Sequence, residues 1–315
     1  MNRRSFLQAA AASSALASAP RIVRAGEEDL LPQTVIDAHT HFYDPQRPQG
    51  VPWPAKNNAV LYKTTLPADL KRVAPRVTGT VVVEASAWLE DNQWILDLAE
   101  HEPLIVGFVG HLDPGTPGFA DHVRRFARHR LFRGIRIPGQ GLPQKLDQSE
   151  FLRDLELLAD NDLALDVNGT PTILPGVAQL ARRLPALRVV INHVANLRID
   201  GQAPPAEWLS GMQAVAKCPQ VFCKVSALVE SVRPAGTRPP ADSEFYRPVL
   251  DALWNTLGED RLIYGSNWPV CEKYAPYATV QHIVAAYLRT KSVSTREKFF
   301  SRNSRAAYKW VARAQ

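Results

Sequence analysis

No run of eighteen or more apolar residues occurs in the 315-residue chain, so no part of it is long and oily enough to span a membrane as a helix. Cysteine is scarce: Cys218, Cys223 and Cys271 are an odd number, which excludes a complete disulfide framework, and the 218 to 223 spacing has no second pair to finish a zinc knot. Buried free thiols are the expected state, with Cys271 of interest because it follows a suspected site turn. Internal repeats are missing, which removes solenoids and propellers. No G-x-G-x-x-G follows the first apolar run, against a dinucleotide-binding open sheet, and no G-x-S-x-G elbow surrounds Ser226 or Ser266, against a serine-nucleophile hydrolase. Acidic residues are absent from the first twenty-five positions, and this accounts for most of the formal charge of +6. Setting aside Arg3, Arg4, Arg21 and Arg24 leaves 33 of the 37 basic residues against 31 acidic ones. That balance lacks the positive field a nucleic-acid surface needs.

What is present is ordinary globular composition, 45% hydrophobic and 22% charged, which excludes a disordered or fibrous chain. The N-terminus is the exception. Asn2-Arg3-Arg4-Ser5-Phe6-Leu7-Gln8 precedes an Ala-rich, weakly apolar run from Ala9 to Ala19. This resembles a bacterial twin-arginine export signal, with small residues at Ala17, Ala19 or Ala25 as cleavage positions. Residues 1–25 are therefore expected to be a signal and 26–315 a catalytic domain, exported to the periplasm or another extracytoplasmic space.

Eight short β-branched runs recur along that domain: Val35 to His41, Thr80 to Glu84, Leu104 to Val109, Gly134 to Ile137, Leu163 to Asn168, Val189 to His193, Val221 to Ser226 and Leu262 to Ser266. Between them lie segments of 3.6-residue periodicity such as Trp94 to Glu100, Phe119 to His129, Glu150 to Asn161 and Val177 to Leu184. A parallel crossover needs a helix to return the chain, and eight such units predict an α/β fold, a (β/α)8 TIM barrel. His39, His41, Glu84, His111, Arg136, Asn168, His193, Lys224, Ser226 and Asn267 fall at or just past the C-terminal ends of the runs. In a barrel those ends converge on one mouth. The Pro- and Trp-rich segment 42–63 and the Pro-Pro segments 199–207 and 233–242 are long enough to roof it.

Two histidines two residues apart on a strand, His39 and His41, point to one side and can reach one metal ion. His193 supplies a third imidazole, a favoured ligand of Zn²⁺ and related divalent ions, with a position left open for water or substrate. Asp37 is expected to orient one of the rings as a hydrogen-bond acceptor. Arg136 and Lys224 can pair with a carboxylate or polarise a carbonyl, or form ion pairs at the rim. Glu84 can be a base, a ligand or a partner of Arg136. Trp53 and Trp268 can stack on a sugar ring or pack in the core.

The motifs Ile-Asp-Ala-His-Thr-His-Phe at 36–42, Val-Glu-Ala at 83–85, Phe-Arg-Gly-Ile-Arg at 132–136, Asn-His at 192–193, Cys-Lys-Val-Ser at 223–226 and Arg-Leu-Ile-Tyr-Gly-Ser-Asn-Trp-Pro-Val-Cys at 261–271 resemble, in order, those of the amidohydrolase-2 group. Within it the chain looks most like the branch of L-fuconolactonases, L-rhamnonolactonases and 2-pyrone-4,6-dicarboxylate lactonases. The resemblance implies a metal-dependent-hydrolase barrel that opens a sugar lactone or related cyclic ester, with a divalent metal, Zn²⁺ foremost, on His39, His41 and His193. A metal-free site in which the imidazoles donate to the carbonyl oxygen is the other form of the same chemistry. The group's last motif usually reads Gly-Ser-Asp-Trp-Pro, with the Asp as base, whereas this chain has Asn267. A carboxamide takes no proton at neutral pH. Glu84, a histidine or a metal-activated water would have to replace it. Two rival readings follow: a metal-dependent decarboxylase of the same fold, and a barrel that binds a sugar acid without turnover. The expected partner in all three is a small molecule.

Overall fold

Val, Ile and other β-branched side chains pack well on a pleated surface and poorly in a helix, and the eight runs form eight parallel strands. The computed structural model describes residues 30–234, 236 and 238–313, so the export segment lies outside the described residues. The strands are β1 (Ile36–Thr40), β2 (Gly79–Val83), β3 (Ile105–Gly110), β4 (Phe132–Pro138), β5 (Ala164–Asn168), β6 (Val189–Ile191), β7 (Val221–Val225) and β8 (Leu262–Tyr264), hydrogen-bonded in sequence order in a single sheet. The sheet curls until its ends meet. Just past β8, Asn267 N–H donates to His39 O and His41 N–H to Trp268 O, both at 2.9 Å. Gly265 permits this approach: a Cβ there would lie 2.9 Å from the Cβ of His39.

Helices at Leu89–His101, Phe119–Ala127, Ser149–Asp160 and Leu174–Arg183 match the four expected segments to within a few residues. Further helices at Pro67–Val73, Ala206–Ala216, Arg247–Leu257 and Tyr277–Tyr287 complete the outer layer. Their apolar stripes, for example Phe119, Val123 and Phe126, cover the outer face of the strands in one large core. A smaller second core joins Ile36, Val81, Val106 and Ala164 with Tyr308 and Trp310 of the C-terminal segment.

Two local departures from regular strands shape the site. The β1–β2 register shifts between Asp37 and Thr40, and a bulge of this kind re-aims side chains relative to strict alternation. The Asp37 carboxylate thereby reaches Tyr277 OH (3.0 Å) on an outer helix, while His39 meets the other imidazoles. At the end of β6 the strand stops at Ile191, so His193 is not its last residue, as the sequence suggested. It opens a left-handed turn, with φ of 54°, 54°, 57° and 45° at His193, Val194, Ala195 and Asn196.

Candidate active site

The left-handed conformation costs a side-chain-bearing residue roughly 1–2 kcal/mol, so four in succession need compensation. Hydrogen bonds supply it: Trp208 Nε1–H donates to Val194 O (3.0 Å) in the interior, Ala195 N–H to Asn192 O (2.9 Å), and the partly buried Asn196 Nδ2 to both Asn168 Oδ1 and Gly169 O (3.0 Å each). The turn carries the His193 ring back over the barrel. Its centroid lies 4.3 Å from that of His39, which in turn lies 5.0 Å from His41. The three expected imidazoles therefore do converge.

Each ring is held at Nδ1 by a different neighbour: His41 by Val83 O at 2.9 Å, His193 by Ser226 Oγ at 2.8 Å and His39 by Lys224 Nζ at 3.2 Å. Burial pushes all three pKa values down, and the positive charges of Lys224 and Arg136 add to it; for His41 the value falls to about 3. All three rings are neutral at physiological pH.

Lys224 lies fully enclosed and donates to Asp166 Oδ2 at 2.7 Å. Asp166 also accepts from Tyr308 OH (2.7 Å) and Asn192 Nδ2 (2.9 Å). The open-cavity role considered for Lys224 gives way to a buried ion pair beneath His39. Asp166, on the strand beside Arg136, was not singled out from sequence; Asp alone in an apolar run was the available signal.

A cavity of about 430 Å³ opens at the mouth, bordered by His41, Trp53, Glu84, Arg136 and Asn267, within the range typical of small-molecule sites. Arg136 Nε donates to Glu84 Oε1 at 2.7 Å and Nη2 to Glu84 O at 3.0 Å, so the two form a rim ion pair. Trp53 stands edge-on to His41, 5.8 Å between centroids, and Arg47 pins the roofing segment through Asp91 (2.9 Å). Trp268 cannot serve as a stacking platform. It is buried against Phe42 and donates through Nε1 to Glu272 Oε1 at 2.9 Å. Asp37 holds no imidazole; it accepts from the backbone N–H of His39 (3.1 Å) and Ser266 (2.9 Å) and ties β1 to the turn after β8. Cys271 is fully buried, with its pKa raised by burial, which leaves it an unreactive thiol.

The family model described as amidohydrolase matches residues 36–310, nearly the whole described chain. The chain belongs to the amidohydrolase family. It is 34% identical over 239 residues to an L-fucono-1,5-lactonase of Burkholderia ambifaria, covering 75% of this chain and 80% of the relative. A second L-fucono-1,5-lactonase, from Burkholderia multivorans, is 30% identical over 267 residues, covering 81% and 89%. A solved amidohydrolase of B. multivorans superimposes with a TM-score of 0.78 at 28% identity, covering 88% of this chain and 99% of that one, in a crystal with bound HEPES; a second crystal form contains zinc and gives 0.77.

Family membership and the zinc-bound relative point to a divalent ion, and the donor set of this amidohydrolase can be tested against one. A ligating imidazole must present a lone pair. His41 does so at Nε2, because Nδ1 donates to Val83 O. His39 does not. Burial lowers the Lys224 pKa and the Asp166 carboxylate, 2.7 Å away, opposes that shift; with Nζ as the donor to His39 Nδ1 at 3.2 Å, the hydrogen of the neutral ring sits on Nε2. Nε2 is buried without a hydrogen-bond partner among the described residues. Among the described residues no three His, Cys, Asp or Glu side chains are grouped so as to hold an ion. The expected ligand trio of His39, His41 and His193 does not fit: His39 enters as a donor.

Asn267 sits just past β8 with φ of 60°, a left-handed position that Asn and Asp tolerate better than most residues. Its Oδ1 lies 3.3 Å from His41 Nε2 and its Nδ2 donates to Glu230 Oε1 at 2.8 Å. Glu230 escaped the sequence reading because it follows β7 by five residues, in a segment without motif or period.

Proposed function

We propose that this protein is a hydrolase that opens a sugar lactone of the L-fucono-1,5-lactone class by water attack on the ring carbonyl. The observation that carries this is the buried, unpartnered Nε2 of His39 beside the His41 and His193 rings, a donor in the tautomer that Lys224 sets. A buried donor without an acceptor is costly by about 1–3 kcal/mol, and a carbonyl oxygen that gains charge in the transition state is the acceptor that makes it useful. The lactonase relatives support the substrate class.

In the steps this implies, His39 Nε2–H and the Arg136 guanidinium receive the carbonyl oxygen. His41 Nε2 and Asn267 Oδ1 lie 3.3 Å apart on the cavity wall; a water on the cavity side of the pair donates to His41 Nε2 and attacks the carbonyl carbon. The water's proton passes to His41 Nε2. When the tetrahedral adduct collapses, the ring C–O bond breaks and the leaving alkoxide takes that proton, giving the ring-opened hydroxy acid. Trp53 borders the sugar and Arg136 the new carboxylate. Export by the twin-arginine route is part of the same proposal, supported by the residues at 2–8, and cell fractionation of the full chain against a variant with Lys at positions 3 and 4 tests it.

The test of function is a panel of 1,4- and 1,5-aldonolactones followed by acid release. Ring-opened acid from a 1,5-lactone is expected. Carbon dioxide release from aromatic acids without any lactone opening would overturn the reading.

A further inference from the structure

The polar groups around the site leave one carboxyl oxygen unexplained. Glu230 Oε1 accepts from Asn267 Nδ2, but Glu230 Oε2 is shut off from solvent and has no hydrogen-bond partner among the described residues. Glu230 also faces Tyr246 and Cys271, both neutral, and the guanidinium of Arg233 is bonded to its main-chain carbonyl (3.1 Å), not to its carboxylate. Among the described residues no cation is therefore paired with this partly buried acid. Its one strong polar contact is the side chain that stands where the family's pattern has an acid.

That contact fixes the direction of the amide. In the structure Nδ2 faces Glu230 and Oδ1 faces His41; the ionised form of Glu230, which only accepts, holds the amide this way round. Backbone geometry does not select Asn over Asp at this left-handed position. Glu230 does, because an Asp at 267 would place two carboxylates at hydrogen-bond distance, where both cannot be ionised.

We propose that Glu230 supplies the negative charge missing at position 267 and is the positioning residue of a Glu230–Asn267–His41 chain. It orients Asn267 Oδ1 toward the attacking water and toward the proton arriving on His41 Nε2. This rests on the hydrolase reading above. Burial raises the Glu230 pKa to about 7, so the charge behind Asn267 appears as the pH rises through neutrality. The sign for stability is opposite to that of an ordinary paired acid. The proton favours the folded state, and the contribution is full below about 4.5 and lost as pH rises through about 7.

The test compares wild type with Glu230→Gln, Glu230→Asp, Asn267→Asp and the exchanged pair Asn267→Asp/Glu230→Gln. L-fucono-1,5-lactone is the substrate, with kcat and KM taken across pH and melting temperatures recorded over the same range. Glu230→Gln is expected to lower kcat at least tenfold with KM within about twofold, and to lose the ionisation near neutrality from the kcat profile. Glu230→Asp should keep part of both. Asn267→Asp alone should lose activity at pH 7, and the exchanged pair should regain at least tenfold over Glu230→Gln. An unchanged kcat profile in Glu230→Gln, or an exchanged pair no better than Glu230→Gln, overturns the proposal. If no form opens any lactone, the functional reading fails and the melting data decide. A fall in wild-type stability through pH 7 that vanishes in Glu230→Gln and moves upward in Asn267→Asp supports the charge assignment, and its absence defeats it.

Discussion

His39 behaves as a donor because of Lys224, 185 positions along the chain. The lysine is tolerable in the barrel only because Asp166 neutralises it and Tyr308 and Asn192 occupy the remaining acceptor sites of that acid. Removing one partner of such a buried pair costs about 3–5 kcal/mol, since the other charge is stranded. Lys224→Met should therefore be destabilised by that amount in urea unfolding, and adding Asp166→Asn should recover part of it. Equal stability of Lys224→Met and wild type would contradict the network. The same argument concerns metal. Protein purified without chelator and supplemented with zinc should hold well below one ion per chain by mass spectrometry, whereas one tight equivalent would show that His39 presents a lone pair.

At the level of elements, the turn His193–Asn196 places the third imidazole, and its strain is held by Asn196 and Trp208. Asn196→Ala removes two partly buried hydrogen bonds and puts alanine at a left-handed position, a loss on the order of 2 kcal/mol, with kcat falling because His193 is no longer fixed. Differential scanning calorimetry and steady-state rates check this; unchanged values in both would mean that the turn needs no such support. This element also marks where sequence legibility ended. Eight strands and four helices were readable because β-branched runs and 3.6-residue stripes are local properties. The convergence of His39, His41 and His193 was readable because barrel strands share one mouth. The turn was not, since nothing in His-Val-Ala-Asn favours positive φ; tertiary bonds impose it. The β1 bulge likewise turned Asp37 from an imidazole to Tyr277, and Trp268 went to the core through a partner, Glu272, that no local pattern identifies. Glu230 and Asp166 matter through partners 37 and 58 positions away, a distance at which a single sequence carries no signal.

For the whole molecule, the barrel separates support from chemistry. The C-terminal segment fills one end, with Tyr308 and Trp310 in the inner core and Tyr308 OH on Asp166. That acid holds Lys224, Lys224 sets His39, and the opposite end carries the cavity. Stability and reactivity are thus linked along the barrel axis. Among the described residues no helix is long and apolar enough to cross a membrane. The most direct test of this account is the rate of L-fucono-1,5-lactone opening by chelator-treated wild type and His39→Ala at equal folded concentration. Undiminished wild-type activity and a loss of about 100-fold or more in the variant, the scale of removing one oxyanion donor, are expected. Equal rates for the two proteins would contradict it, as would a wild type silenced by chelator and restored by one equivalent of zinc.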